Sequence, residues 1–289
     1  MDSSIYVFRA WFTMPDHLTN LDGHAVNAFY GFSDFLAGLL HHEKPVYIAC
    51  AFDESLALSY RNEIYPAYKA NREPAPADLK RQFQFCRELV ELAGIANFGS
   101  PRFEADDIIG TLSYHMRAEG LTNIIITADK DLTQLLQHQD LWWEYTKDQQ
   151  LTIADVHKKF GVHPHQIADL LALAGDAVDN IPGIPGIGQK TAANLLTRFE
   201  SVENLLNNID KIGAMKFRGA ERVQQLVQEH QDLARLSKKL TLIAMDDSLP
   251  KEKQALARKP YQADALEAFF ERMNFGPHRR QRWHKLLSQ

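Results

Sequence analysis

Two short apolar runs that each end in an aspartate constrain the fold of this 289-residue chain most strongly. Residues 45–53 read PVYIACAFD and residues 123–129 read NIIITAD, and such runs are typical of strands buried in a parallel sheet. Helical periodicity covers residues 25–42, 78–93 and 105–119, and residues 141–145 indicate a further strand. This alternation predicts an α/β fold, in which a mostly parallel sheet is flanked by helices.

The second half of the chain has a different pattern. Helical segments are predicted over residues 153–160, 164–174, 189–199, 202–209, 219–242 and 262–273, and Gly/Pro turns join them. Residues 246–260 are polar and rich in lysine, which predicts a surface connection. We therefore predict an α/β domain over residues 1–152, followed by a helical lobe and a closing segment over residues 153–289.

Bulk composition narrows the class of protein. An uninterrupted apolar run of membrane-spanning length is missing from the sequence, and the first residues lack the basic-then-apolar pattern of a secretory signal. Cys50 and Cys86 do not suggest a disulfide framework, so we expect a cytoplasmic protein. Net charge is −5, yet residues 211–239 carry seven cations against three acids, and residues 278–289 carry four cations and no acid. These segments are either solvated helix faces or contacts for nucleic acid.

Acidic residues cluster where predicted strands end and where helices begin or end. The clusters are Asp53; Glu104, Asp106 and Asp107; Asp129 and Asp131; and Asp176 and Asp179. Each cluster alone is equally compatible with helix capping. If the clusters converge, repulsion among carboxylates requires cations, and hard oxygen ligands select Mg²⁺ or Mn²⁺. The chemistry expected of such a site is two-metal hydrolysis of phosphodiesters.

Two further segments have the composition of nucleic-acid contacts. Residues 181–193 read IPGIPGIGQKTAA, and glycines at a helix entry let backbone N–H groups approach a phosphate, with Lys190 adding charge. Ile184 and Ile187 would anchor this hairpin; the alternative is an ordinary turn between helices. Residues 60–72, YRNEIYPAYKANR, mix cations with aromatic rings, which suits a single-stranded end, whereas the alternative is a solvated basic loop.

In chain order, these motifs resemble the 5′-nuclease domain of bacterial DNA polymerase I and its stand-alone relatives, within the flap endonuclease superfamily. The matching motifs are AFD (51–53), YKANR (68–72), EADD (104–107), TADKD (127–131), GDAVDNIPG (175–183) and GIGQKTA (186–192). The opening DSSIYVFRA resembles the first aspartate segment of the family, with Arg9 at the expected spacing. The resemblance covers essentially the whole chain. It implies a PIN-like (resolvase-like) α/β domain, an arch around residues 71–84 and a helix-hairpin-helix-like element at about residues 175–199.

The resemblance also implies roles for individual residues. Ligands of the first metal ion and its surroundings would be Asp2, Asp53, Glu104, Asp106, Asp107 and Asp129. Ligands of the second would be Asp131, Asp176 and Asp179, with Asp129 near both. Lys69 and Arg72 would steer and polarise the scissile phosphate as catalytic cations, and Tyr68 would stack on a base. The remaining DNA contacts would come from Arg9, Arg61, Gly183, Gly186, Gly188, Lys190 and Thr191.

The implied activity is that of a structure-specific 5′-3′ exonuclease or flap endonuclease. Its implied cofactors are two Mg²⁺ ions, for which Mn²⁺ can substitute, and K⁺ held by the carbonyls of the glycine hairpin. Its partners would be DNA with a 5′ flap or 5′ end and a DNA polymerase acting in trans. We expect neither a membrane partner nor a small-molecule cofactor. The sequence leaves open the balance between exonuclease and flap cleavage.

One departure from the family and two rival functions bear on this expectation. Family members carry an apolar strand before the first aspartate, whereas Met1 directly precedes Asp2 here, so we expect the central strand to be absent. A PIN-type ribonuclease would also have clustered acids on an α/β sheet. That function does not account for the glycine hairpin or for the acids at 176 and 179. A catalytically impaired DNA-binding relative would lack its first strand, yet all nine carboxylates remain.

Overall fold

A computed structural model of the chain describes residues 1–54 and 58–288. The α-helices of these residues are α1 (Ser3–Thr13), α2 (Asn27–Glu43), α3 (Tyr60–Ile64), α4 (Ala77–Leu92), α5 (Ala105–Ala118), α6 (Ile153–Phe160), α7 (Ile167–Ala174), α8 (Gln189–Phe199), α9 (Val202–Leu206), α10 (Ala220–Glu229), α11 (Gln231–Thr241), α12 (Ala263–Arg272) and α13 (Pro277–Leu287). The strands are β1 (Ala49–Asp53), β2 (Ala96–Ser100), β3 (Ile124–Ile126), β4 (Leu141–Glu144) and β5 (Gln149–Leu151). The predicted α/β class is confirmed.

The chain forms two compact units, and neither is continuous in sequence. The first unit comprises Met1–Glu54, Pro74–Leu121 and Asp246–Gln289. The second unit comprises Ser55–Glu73 and Thr122–Met245. The domain boundary near residue 152 stays a prediction, as does the arch around residues 71–84, whose second half forms the start of α4. Among the described residues, no helix combines the length and the apolar character needed to cross a membrane.

The first unit is built on the parallel pair β1 and β2, whose register runs from Ala49 opposite Ala96 to Asp53 opposite Ser100. The apolar residues of β1 are buried, as the run at 45–53 predicts. On β1, Ala51 donates its N–H to the carbonyl of Met1 at 2.9 Å, next to an isolated parallel bridge with Asp2. Helix α1 therefore starts directly beside β1.

The segment at residues 246–260, predicted as a surface connection, is mostly exposed or half-buried, but it is anchored to the first unit by two leucines. Ile48 donates its N–H to the carbonyl of Leu256 at 2.9 Å, and the side chains of Leu249 and Leu256 are buried. The carbonyl of Lys259 lies so close to Gly94 that a Cβ there would collide with it. The sequence did not predict these buried leucines, because the segment is rich in lysine and only a few of its residues are apolar.

The second unit contains a three-stranded sheet in which β3 and β4 are parallel and β4 and β5 are antiparallel. Among the described residues, the runs at 45–53 and 123–129 thus belong to different sheets, and the prediction of one shared sheet is wrong. An apolar run predicts that a strand is buried, but it does not predict with which other strand it pairs. The prediction of one continuous helix over residues 219–242 is also wrong, because the segment forms two helices, α10 and α11, that are separated at His230.

Candidate metal and DNA sites

The first unit holds five of the predicted metal ligands, where β1 ends and where α1 and α5 begin. They are Asp2, Asp53, Glu104, Asp106 and Asp107. Asp53 donates its backbone N–H to Ser4 Oγ at 2.8 Å, and its carboxylate accepts the N–H of Ala105 at 2.9 Å. The Asp2 carboxylate accepts the N–H of Ile5 at 3.3 Å. The carboxyl end of β1 is therefore joined to the first turns of both helices.

Two of these acids also cap helix α5. Glu104 is the N-cap residue, and the Asp107 carboxylate accepts its N–H at 3.1 Å within a capping box. Both side chains are buried, whereas Asp106 is half-buried. The capping interpretation is thus correct for this pair, and their metal-binding role stays a prediction. Arg9 lies on α1 with its guanidinium 5.4 Å from the centre of the Tyr6 ring.

The second unit holds the other four predicted ligands. Asp129 and Asp131 follow β3, and Asp131 donates its backbone N–H to Asp129 Oδ1 at 2.9 Å. The Trp142 indole donates to the Asp129 carbonyl at 2.6 Å. Asp176 and Asp179 lie in the loop after α7, where Asp176 and Ile181 form an isolated bridge. Backbone hydrogen bonds therefore fix both acidic turns.

Two of these carboxylates, Asp129 and Asp131, have a raised pKa. Burial raises the pKa of Asp129, and the charges of Asp179 and Asp176 raise it further, against a backbone hydrogen bond from Asp131 and the charge of Lys69. Burial, followed by repulsion from the other three carboxylates, raises the pKa of Asp131 to about 8. Four ionised carboxylates next to two cations, Lys69 and Arg72, would leave a formal charge of −2. A divalent cation would neutralise that excess.

The cationic segment, residues 67–72, binds directly to the acidic loop, residues 176–180. Lys69, whose side chain is 9% exposed, donates its backbone N–H to the Asp179 carbonyl at 3.0 Å, and its Nζ lies 3.5 Å from Asp179 Oδ2. Arg72 makes an ion pair with Asp179 Oδ1. Asn180 donates to the Ala67 carbonyl at 2.6 Å and Asn71 to that of Ala177 at 2.9 Å. The two asparagines were not predicted; Asn180, with φ 55°, was detectable as a turn former inside the DNIPG string.

Three residues predicted to contact DNA, Arg61, Tyr68 and Gly183, are instead buried in the second unit. Arg61 is 3% exposed, and its guanidinium donates to the carbonyls of Leu240 and Leu242, each at 2.9 Å. Tyr68 is 4% exposed, packs against Leu240, and donates its hydroxyl to Asp179 Oδ2 at 3.3 Å. These placements stabilise the fold and do not favour the predicted contacts with DNA.

The glycine hairpin leads from α7 into α8. Gly183 donates its N–H to Ser237 Oγ at 3.0 Å and approaches the backbone of Gly175 so closely that a side chain would not fit. Ile184 and Ile187 are buried, as predicted. The exposed residues at the entry of α8 are Gly186, Gly188 and Lys190, and Thr191 is half-buried. Gly188 is the N-cap residue of α8 and supplies no side-chain hydrogen bond to the first turn of the helix.

The predicted ligands are of the right chemical type for a hard divalent cation, but in the described part of the chain their side chains are not arranged around a common point. All predicted ligands offer carboxylate oxygens, which suit Mg²⁺ and Mn²⁺. Within the described residues, no three acidic, histidine or cysteine side chains are already arranged as a ligand set. Asp179 is engaged by Lys69 and Arg72, so an ion would compete with these cations for its oxygens.

Comparisons with known proteins agree with the motifs. The model of the 5′-3′ exonuclease N-terminal resolvase-like domain matches residues 1–161, and that of the 5′-3′ exonuclease C-terminal SAM fold matches residues 162–264. The 5′-3′ exonuclease of Aquifex aeolicus is 42% identical over 211 residues, which cover 73% of this chain and 72% of that protein. DNA polymerase I of Bacillus caldotenax is 37% identical over 279 residues, which cover 95% of this chain but 31% of the polymerase.

Solved structures show the same fold at low sequence identity. The bacteriophage T5 D15 flap endonuclease, in a complex with DNA and metal ions, has a TM-score of 0.64 at 18% identity and covers 100% of this chain and 98% of that one. The catalytic core of Rad2 with DNA substrate has a TM-score of 0.65 at 15% identity, covering 99% and 90%. Because adjoining family models span residues 1–264 and the Aquifex protein matches over most of its length, this chain belongs to the 5′-3′ exonuclease family.

Proposed function

We propose that the chain hydrolyses DNA phosphodiesters at or near a 5′ end, as a 5′-3′ exonuclease or flap endonuclease. The observation that carries this proposal lies in the second unit, beside Lys69 and Arg72: burial, and then the charges of neighbouring carboxylates, raise the pKa of Asp129 and of Asp131. Burying carboxylates in this way is unfavourable for a structural core, and it is useful where cations and a phosphate bind. Membership of the 5′-3′ exonuclease family supports the same activity.

Divalent cations are part of this proposal, with Mg²⁺ as the expected ion and Mn²⁺ as a substitute. In the first unit the ligands would be Asp2, Asp53, Glu104, Asp106 and Asp107, and in the second unit Asp129, Asp131, Asp176 and Asp179. Two bound ions would activate a water molecule and stabilise the leaving oxygen. We also propose K⁺ at the carbonyls of the hairpin between Gly183 and Gly188.

Lys69 and Arg72 are the protein's own contribution to the reaction. Both are held on Asp179, which keeps two cationic groups together in a partly buried place. Cations fixed in this way lower the energy of a transition state that gains negative charge at the phosphate, and they need no reorganisation during the reaction. Asp179 acts as the positioning residue for both.

DNA with a 5′ flap or 5′ end is the proposed substrate, and the hairpin is its proposed duplex contact. The backbone amides at the start of α8 and the Lys190 ammonium offer donors to the phosphates of one strand. A DNA polymerase acting in trans is the proposed protein partner. This is supported by the polymerase I relatives, in which the matched region occupies 27–31% of the length.

Cleavage of a 5′-flap DNA and of a matched RNA, in Mg²⁺ and in excess chelator, tests the proposal. We expect Mg²⁺-dependent cleavage of the DNA. Asp129→Asn should abolish cleavage while DNA binding persists, because it removes a ligand but also reduces repulsion of phosphates. Asp210→Asn, an exposed acid of the same unit, is the control and should cleave normally. Preferred cleavage of RNA would instead support a ribonuclease, and binding without any cleavage would support an impaired DNA-binding relative.

A further inference from the structure

The basic C-terminal segment plays no part in the proposed nuclease sites. Residues 278–289 carry four cations and no acid, and Gln289 lies outside the described residues. The segment forms α13, which packs against α2 within the first unit. Its cations divide into two kinds by their contacts.

Two arginines of α13 are structural. Arg279 donates to both carboxylate oxygens of Asp34, at 3.0 and 2.6 Å, and lies over the ring of Tyr30. Arg280 donates to Glu267 at 2.8 Å and to the Phe275 carbonyl at 2.8 Å. Both guanidinium groups are therefore neutralised, and they hold α13 in place.

The other two cations line a cavity between α2 and α13. The cavity has a volume of about 470 Å³, and its wall consists of Ala37, His41, His278, Gln281, Arg282, Lys285 and Leu286. On α13, residues 278, 281, 282 and 285 are three, four and seven positions apart, so they share one helix face. The lining residues include no acidic side chain, and the two apolar ones, Ala37 and Leu286, are buried.

The cations of this wall are available to a ligand. The side chain of Arg282 is 49% exposed. Its guanidinium lies 3.8 Å from the Asp34 carboxylate, whose two oxygens each accept a hydrogen bond from Arg279. Lys285 makes no ion pair with an acidic residue among the described residues, and its side chain is exposed. A guanidinium and an ammonium one helical turn apart therefore face the same groove, and against these two positive charges Asp34 offers a single carboxylate that Arg279 already shares.

Phosphate is the anion that best fits this wall. Its oxygens accept from the planar fork of an arginine and the point charge of a lysine at the same time, and imidazole and amide groups add donors. A volume of about 470 Å³ lies within the range of small-molecule sites.

We propose that the cavity between α2 and α13 binds the phosphate group of a nucleotide or of a single DNA strand end through Arg282 and Lys285. The site stands on residues remote in sequence from the carboxylate clusters, so it does not depend on the proposed nuclease activity. His41, His278 and Gln281 complete the polar wall. The nucleotide and the strand end share the same chemistry, and the experiment separates them.

Calorimetric titration of the full chain in excess chelator tests this site without cleavage. The probes are dAMP, inorganic phosphate, deoxyadenosine, tetraglutamate and a short single-stranded oligonucleotide with or without a 5′ phosphate. We expect dAMP to bind and deoxyadenosine not to bind. The double substitution Arg282→Gln/Lys285→Gln should weaken binding by at least about tenfold, because two charge-assisted hydrogen bonds are lost. The control Lys251→Gln/Lys259→Gln, which removes the same charge from exposed residues of the same unit, should bind normally.

Each outcome has a definite meaning. Binding by dAMP and phosphate identifies a free nucleotide as the source, whereas binding only by the 5′-phosphorylated oligonucleotide identifies a strand end. Equal weakening by the control pair, equal binding of deoxyadenosine, or tetraglutamate binding as tightly as dAMP would overturn the proposal. If the double variant has a lowered Tm, Lys285→Gln alone serves, with a loss of about threefold expected for a single contact.

Discussion

Binding of Mg²⁺ to the second unit should release protons at neutral pH. The pKa of Asp131 is raised to about 8, first by burial and then by Asp129, Asp176 and Asp179. A carboxyl group with that pKa is about 90% protonated at pH 7, and it must lose its proton to serve as a ligand. One bound ion should therefore release about 0.9 proton at pH 7 and about 0.5 at pH 8.

Calorimetry in buffers of different ionisation enthalpy measures this release directly. The observed enthalpy of Mg²⁺ binding, plotted against the buffer enthalpy, has a slope equal to the number of protons released. The apparent affinity should fall about tenfold for each pH unit below 8. Asp131→Asn should reduce the slope, because the proton of this carboxyl group is no longer there to be released, and the exposed control Asp210→Asn should leave the slope unchanged. Tight binding with no buffer dependence at pH 7 would refute the argument that Asp131 is protonated in the metal-free protein.

The same pKa determines how stability without metal depends on pH. Because the folded-state pKa of Asp131 lies above the ordinary aspartate value of 3.8, folding is coupled to proton binding. The stabilising contribution is complete below about pH 4 and is lost as the pH rises through about 8. In chelator, the unfolding free energy of the wild type minus that of Asp131→Asn should therefore decrease between pH 4 and pH 8. A difference that increases over this range would contradict the raised pKa.

Three further substitutions separate catalysis, DNA binding and folding. Lys69→Ala should lower the single-turnover rate at saturating DNA on the order of 10²–10³-fold, as for loss of a transition-state contact; a loss only in association, and only at low salt, would make it a steering residue. Lys190→Ala should weaken duplex binding and reduce the salt slope by about one, with kcat unchanged; an unchanged salt slope would exclude a phosphate contact. Arg61→Met should lower the unfolding free energy, measured in urea, by on the order of 2–3 kcal/mol because two buried hydrogen bonds are lost; unchanged stability with weakened DNA binding would restore the predicted DNA contact.

The sequence predicted the local structure better than it predicted strand partners. The bounds of α6 and α8 are those of the periodic segments, because caps and periodicity lie within a few residues of each helix. The pairing of β1 with β2 and of β3 with β4 depends on contacts that no local pattern contains. The break at His230 was missed because amphipathic periodicity continues across it.

Residue chemistry was likewise easier to predict than residue position. The resemblance assigned Lys69 and Arg72 to the scissile phosphate, which stays a prediction, and the structure adds that both cations pair with Asp179. Arg61 and Tyr68 belong to the same stretch of sequence, yet both are buried. Both are buried against Leu240, which is 179 residues from Arg61 in the sequence. A mixture of cations and rings cannot distinguish the residues that face solvent from those that hold the loop.

Backbone strain connects the stability of this loop with its proposed chemistry. Lys69 and Asn180 have φ values of 54° and 55°, in the left-handed region that disfavours side chains by about 1–2 kcal/mol per residue. Each sits where the cationic segment meets the acidic loop, and each is held by a hydrogen bond across that junction: Lys69 to the Asp179 carbonyl and Asn180 to the Ala67 carbonyl. Glycine would relieve the strain at either position, but at 69 it would remove the ammonium that lies beside Asp179. The strained lysine is therefore better explained by the position it gives to a charge than by any gain in stability.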